Sequence, residues 1–223
     1  MSSIQKDGLE VQGLEILRPG FKILADLNVG PEERVALVGR SGCGKTTVLR
    51  AIAGLESTEQ GKVRVAGQDW TGVRPEDRRF GFVFQDLALF PALTVGQNLE
   101  FGLRVQGVPA GERKSRIAIW SDRFGLRGRE HDSIGQLSGG ERQRVALIRT
   151  WVTRPRILLL DEPFSALDPA LRSEFRTALA ELLSAEPVPL LWVTHDSSDL
   201  DAFATRRVEV RETQGGKLRE FRG

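Results

Sequence analysis

The run Gly39-Arg40-Ser41-Gly42-Cys43-Gly44-Lys45-Thr46 carries the spacing G-x-x-x-x-G-K-[ST], and the chemistry it suits is anion capture. Glycines at these intervals let backbone N–H groups wrap closely around phosphates, and a helix opening at the end of the loop points its positive terminus at them. Lys45 would lie along the β- and γ-phosphates, and the Thr46 hydroxyl would bind Mg²⁺. Cys43 reads as a small residue in a variable slot, with a redox switch as the alternative.

Other polar residues stand where apolar runs end. Leu158-Leu159-Leu160 leads into Asp161-Glu162, which places two carboxylates at the carboxyl end of a strand, where ligands bind in open parallel sheets. Asp161 would hold Mg²⁺ directly or through water, and Glu162 would polarise an attacking water. Alone, the pair also fits a helix N-cap with an acidic first turn. Gln85 follows Phe82-Val83-Phe84 and could reach metal and water. His195 ends Leu191-Trp192-Val193-Thr194 at the same expected sheet edge, within reach of a γ-phosphate. His131 lies in a polar loop context and reads as surface. Ser138-Gly139-Gly140 opens a helix and offers a second anion cradle, although Ser138 with Glu141 also makes a plain capping box.

These residues need strands and helices to hold them. Residues 9–29 alternate loosely in polarity (Leu9, Val11, then Phe21, Ile23, Leu27, Val29) and predict short half-buried strands. Arg34–Val38 predicts a buried strand running into the glycine loop, Thr46–Leu55 a helix, and Lys62–Val65 a further strand. Arg113–Phe124 has helical spacing. Ile157–Leu160 and Leu190–Val193 are continuous apolar runs of the kind found in central parallel strands. Between them, Leu171, Phe175, Leu179, Leu182 and Leu183 line one side of a helix over Pro169–Ser184. Strands alternating with helices predict an α/β fold with a mostly parallel sheet.

Composition narrows the classes. The 223 residues, 40% hydrophobic and 28% charged, describe a globular chain rather than a disordered one. A formal charge of +2 gives no argument for nucleic acid as a partner. One cysteine excludes an intramolecular disulfide framework and a Cys-based zinc site. No apolar stretch is long enough to cross a bilayer, and the polar opening Met1–Asp7 lacks a secretory leader's pattern. The expectation is a cytoplasmic protein that reaches any membrane through a partner.

Leu137-Ser138-Gly139-Gly140-Glu141-Arg142-Gln143-Arg144 resembles the signature motif of ABC-type ATPases, and the other motifs follow in family order. Gly39–Thr47 resembles Walker A with Thr47 included, Gln85 the Q-loop, and Ser138–Gln143 the signature. Leu158–Glu162 resembles Walker B, Ser165-Ala166-Leu167-Asp168 the D-loop, and His195 the H-switch. The resemblance implies a P-loop NTPase (RecA-like) core, an antiparallel β subdomain, and a helical subdomain at approximately 87–150, within one nucleotide-binding domain over 1–223. It implies ATP and Mg²⁺ as cofactors. It also implies a head-to-tail pairing of two such domains, a homodimer on the simplest expectation, in which Ser138, Gly139, Gly140, Gln143 and Asp168 of one subunit help close the other's nucleotide site.

The segments Asp86–Leu99 and Asp161–Arg172 are similar to those of small-solute importer ATPases of the thiamine, molybdate, iron and polyamine type. That similarity implies ATP hydrolysis coupled to transport, an integral membrane permease as partner, a possible solute-binding protein, and a place on the cytoplasmic face of the membrane. An ABC exporter or lipid system, a soluble ABC ATPase acting on DNA or ribosomes, and a non-enzymatic subunit are the rival expectations. Two departures from the family pattern stand out. Ile16 occupies the place of the aromatic that stacks on adenine, with Phe21 as a substitute or as core. Only 28 residues follow His195 (223 − 195), so no C-terminal regulatory domain is expected.

Overall fold

The computed structural model describes residues 8–165 and 167–223; the polar opening Met1–Asp7 and the D-loop residue Ala166 lie outside the described residues. Ten strands form one mixed sheet among them, and its two halves have different characters. At one side β1 (Leu9–Arg18), β2 (Phe21–Val29), β4 (Gln60–Val65) and the short β5 (Gln68–Asp69) pair antiparallel. At the other, β3 (Arg34–Val38), β8 (Leu190–Val193), β7 (Leu158–Asp161) and β6 (Gly81–Val83) run parallel. The hinge between them is β9 (Arg206–Thr213) with β10 (Leu218–Arg222): β9 runs parallel to β3, and β10 runs parallel to β2. The order is β5-β4-β1-β2-β10-β9-β3-β8-β7-β6.

The loose alternation in β1 has a cause. Leu9, Val11, Leu14 and Ile16 are all buried, although strict alternation would break after Val11. Gly13, at φ 54°, carries a bulge that shifts the register between Val11 and Leu14 and returns the later residues to the core face.

The central strands are buried on both faces, as their continuous apolar runs require. Leu158 and Leu160 of β7, with Leu190 and Trp192 of β8, face one core. Leu159, Leu191 and Val193 face the other, with helix α1 (Lys45–Ala53) and the antiparallel strands. The first core also takes α2 (Val95–Val105), α3 (Ala110–Arg123), α4 (Gly139–Trp151), α5 (Pro169–Ala185) and α6 (Ser197–Phe203). Phe164, Trp192 and Phe203 meet there edge to face, with ring centroids 5.4–5.7 Å apart. On α5 the buried stripe is Phe175, Leu179, Leu182 and Leu183.

Candidate functional site

The carboxyl ends of β3, β6, β7 and β8 bring the candidate residues together. The glycine loop leaves β3 and enters α1, the first helical residue being Lys45. Gly42 and Gly44 take left-handed backbone at φ 74° and 102°. Gly44 is doubly constrained, because a Cβ there would stand 2.5 Å from Ile23 Cδ1. The Lys45 ammonium donates to the carbonyls of Gly39 and Arg40 at 2.8 and 3.0 Å, folded back across the loop it would share with phosphates. Arg40, Ser41, Gly42 and Thr46 are exposed on the loop, and Thr47 is half-buried. Cys43 points inward and is buried, its sulfur 2.9 Å from where a Cβ on Gly39 would sit. It fills a slot between loop and strand, so the packing reading accounts for it and the redox reading does not.

Asp161 ends β7 below this loop. The Thr46 hydroxyl donates to its Oδ1 at 2.9 Å. Burial pushes the Asp161 carboxyl above its ordinary value, only partly opposed by the Thr46 bond. A buried carboxylate beside a threonine hydroxyl, under a phosphate loop, is a hard all-oxygen donor set, and it fits Mg²⁺. No group of three or more His, Cys, Asp or Glu that could hold a metal ion occurs among the described residues, so a cation here would draw on the hydroxyl and on phosphate oxygens as well.

Glu162 is the centre of a converging set. Gln85 Nε2 donates to its Oε2 at 3.2 Å, and His195 Nδ1 stands 3.3 Å from its Oε1. Three residues from the ends of β6, β7 and β8 thus meet on one carboxylate. Glu162 has a φ of 51°, which is strained for a side chain bearing a Cβ. Its backbone is pinned on both sides: its N–H donates to the Val193 carbonyl, and its carbonyl accepts from Ser165 N and Oγ.

The signature turn is a helix start of definite geometry. Ser138 Oγ accepts from Glu141 N, and Glu141 Oε2 accepts from Ser138 N at 2.8 Å, so the capping box expected as the plain alternative is present. Arg129 holds the outer oxygen of Glu141 at 2.6 Å. Gly140 packs closely, since a Cβ there would stand 3.1 and 3.2 Å from the side chains of Leu171 and Leu167. Gly139 is the first residue of α4.

Two residues expected at the other subunit's site, Gln143 and Asp168, take part in the packing and capping of their own helices. Gln143 is 2% exposed, one turn inside α4, and its Oε1 is buried without a hydrogen-bond partner. Asp168 uses its carboxylate to cap α5, accepting from Ala170 and Leu171 N–H, each at 3.0 Å. Ile16, in the place of the family's stacking aromatic, is buried in the core, and the exposed large hydrophobic residue of that hairpin is Leu17.

Arg149 was not visible from sequence. From α4 its guanidinium donates to the carbonyls of Leu87 and Ala88 at 2.9 and 2.7 Å and lies over the Phe90 ring. It clamps the turn just after Gln85, where Leu87 and Ala88 both adopt positive φ. Nothing in the local pattern joins residues this far apart in the chain.

The profile of the ABC transporter family matches residues 24–165. The chain belongs to the ABC transporter family. It is 46% identical, over 80% of its own length, to the sulfate/thiosulfate import ATP-binding protein CysA of Gloeobacter violaceus, of which 53% is covered. It is 43% identical over 83% of its length to the Fe(3+) ions import ATP-binding protein FbpC of Streptomyces avermitilis, covering 54% of that protein. To the spermidine/putrescine import ATP-binding protein PotA of Photobacterium profundum it is 40% identical over 97% of its length, covering 60% of that relative. The chain thus spans little more than half the length of these relatives. No helix among the described residues is long and apolar enough to cross a membrane.

Proposed function

We propose that this chain is the ATP-binding and ATP-hydrolysing subunit of an ABC transporter that imports a small solute. The observation that carries the reading is the meeting of Gln85, Glu162 and His195 beside the Thr46–Asp161 pair, at the mouth of the phosphate loop. Phosphates bind to the loop and to the N-terminus of α1, and Lys45 leaves the Gly39 and Arg40 carbonyls for the β- and γ-phosphates. Thr46, Asp161 and Gln85 would hold Mg²⁺, which when bound supplies charge neutralisation at the phosphate oxygens. Glu162 accepts a proton from the attacking water. Gln85 donates to one of its carboxylate oxygens, and His195 stands beside the other as the residue to contact the γ-phosphate. Names of relatives that import sulfate, iron and polyamines favour uptake over export.

The reading extends to assembly. One nucleotide-binding domain spans 1–223, with a helical subdomain at approximately 87–150 that carries the signature. Two copies pair head to tail, so that Ser138, Gly139 and Gly140 of one close over the phosphate loop of the other. A membrane permease, with a solute-binding protein, completes the transporter, and the ATPase sits on the cytoplasmic face. The test is phosphate release with MgATP by the purified chain. Glu162→Gln is expected to lower turnover about 10²- to 10⁴-fold while ATP binding persists. Turnover equal to the parent's would remove Glu162 from the chemistry.

A further inference from the structure

His195 leaves the end of β8 with 67% of its side chain exposed, and among the described residues the polar partner of its ring is the Glu162 carboxylate alone. An imidazole so open keeps one direction only if the backbone on either side of it is fixed, and both of its chain neighbours are tied down. Thr194 is buried; its Oγ1 accepts from Asp196 N at 3.1 Å and donates to Asp199 Oδ2 at 3.4 Å. Asp196 caps α6, its Oδ1 accepting from Ser198 N at 2.8 Å, and its Oδ2 accepts from Arg172 Nη1. The same Nη1 stands 3.9 Å from Asp199 Oδ2.

Arg172 comes from another element. It lies in the first turn of α5, its N–H donating to the Asp168 carbonyl at 2.9 Å, just before the buried stripe that begins at Phe175. Phe175 packs edge to face on Phe124 and Phe164, so the helix that carries Arg172 is anchored in the core. Arg172 Nε is buried without a hydrogen-bond partner. Leaving a donor unpaired out of water is unfavourable, and the pairing with carboxylates must offset it. Capping alone does not call for that pairing, because an asparagine caps a helix start as well as an aspartate does. The charge on Asp196 serves Arg172. We propose that Arg172 is a positioning residue for the reaction: through Asp196 it fixes the turn that aims His195 at Glu162 and the γ-phosphate, so that the imidazole is set by α5 rather than by its own exposed turn. The proposal rests on the reading that the chain hydrolyses ATP with His195 at the γ-phosphate.

The test is phosphate release from MgATP by the full chain. A misplaced reacting group costs up to about 100-fold, so Arg172→Ala and Asp196→Asn are each expected to lower kcat about 10- to 100-fold. KM for ATP should stay within about twofold of the parent's, as when a contact of the transition state alone is lost. His195→Ala is the deciding background, read by single-turnover release, which reaches rates too slow for the steady state. Because Arg172 acts through the imidazole, adding Arg172→Ala to His195→Ala should leave the rate where His195→Ala put it. Losses that multiply in the double variant, or a parent-like kcat in Asp196→Asn, overturn the proposal and leave the ATPase reading standing. If Arg172→Ala melts below the assay temperature, Asp196→Asn replaces it in every comparison, since it keeps the α6 cap and removes only the charge. A His195→Ala variant as fast as the parent removes the histidine from the chemistry and the proposal with it. A parent that releases no phosphate overturns the functional reading itself.

Discussion

Glu162 holds its side chain at the meeting point of Gln85 and His195 by means of a backbone conformation that a glycine would adopt more readily. A non-glycine residue in the left-handed region stores about 1–3 kcal/mol, and the bonds to Val193 and Ser165 oppose its release. Glu162→Gly is therefore expected to abolish phosphate release while raising stability by about 1 kcal/mol, read as a higher melting temperature in the absence of nucleotide. A fall in melting temperature would mean that the contacts of the carboxylate outweigh the strain. The residues that meet here were legible in the sequence because each ends an apolar run: Gln85 after Phe82-Val83-Phe84, Glu162 after Leu158–Asp161, and His195 after Leu191–Thr194. Runs of that kind become parallel strands, and their carboxyl ends share an edge. The strain at Glu162, the clamp from Arg149 and the burial of Gln143 were not legible, since each depends on a partner distant in the chain or on which side of a helix the core lies.

Between α5 and α6, ion pairs tie the segment after the D-loop to the segment after His195. Arg172 pairs with Asp196, and Arg176 Nη1 lies 2.9 Å from Asp199 Oδ1. The Asp199 side chain is only 3% exposed, and burial pushes its carboxyl above the ordinary value against the pull of both arginines. Removing one partner of such a pair costs about 3–5 kcal/mol when both are buried. Arg176, at 17% exposed, warrants a smaller figure of about 2 kcal/mol for Arg176→Ala. Adding Asp199→Asn should recover much of that loss, because the uncompensated charge disappears; urea denaturation of the two variants measures it. Asp196 behaves oppositely. The Ser198 hydroxyl, then its backbone N–H, with Arg172 behind them, hold its carboxyl down to about 2 from an ordinary 3.8. A depressed folded-state pKa stabilises fully above the unfolded value and stops doing so as pH falls through the folded one. Parent and Asp196→Asn should thus differ in stability above about pH 4 and converge as pH falls toward about 2, as followed by acid unfolding. Helix α5 and the central strands of this region follow from apolar periodicity in the sequence, whereas the short α6 gives no such signal. Nor do strands β9 and β10: Arg206–Thr213 alternates charges around Val208 and Val210, and in Leu218–Arg222 only Phe221 is buried. Their pairing with β3 and β2 is a tertiary fact.

At the scale of the whole molecule, the signature turn and the phosphate loop belong to different helix starts. Ser138 and Glu141 bond to each other, whereas Lys45 and Thr46 bond to the loop and to Asp161. If two copies pair head to tail, each site draws its loop from one copy and its signature from the other, and two unlike defects can complement. Lys45→Ala disables a loop, and Ser138→Arg sets a long cation where the γ-phosphate would be closed over; each alone is expected to be inactive in phosphate release. In a mixed pair, one site inherits both defects and the other inherits neither. Equal mixing of the two variants should therefore restore about a quarter of the parent rate, because half of the pairs are mixed and each of those holds one intact site of its two. Restoration must depend on total protein concentration, since the intact site exists only in the assembled pair. A rate that stays at the level of the separate variants at every concentration, with both variants folded by circular dichroism and still exchanging partners, would exclude the head-to-tail arrangement and leave each chain to close its own site.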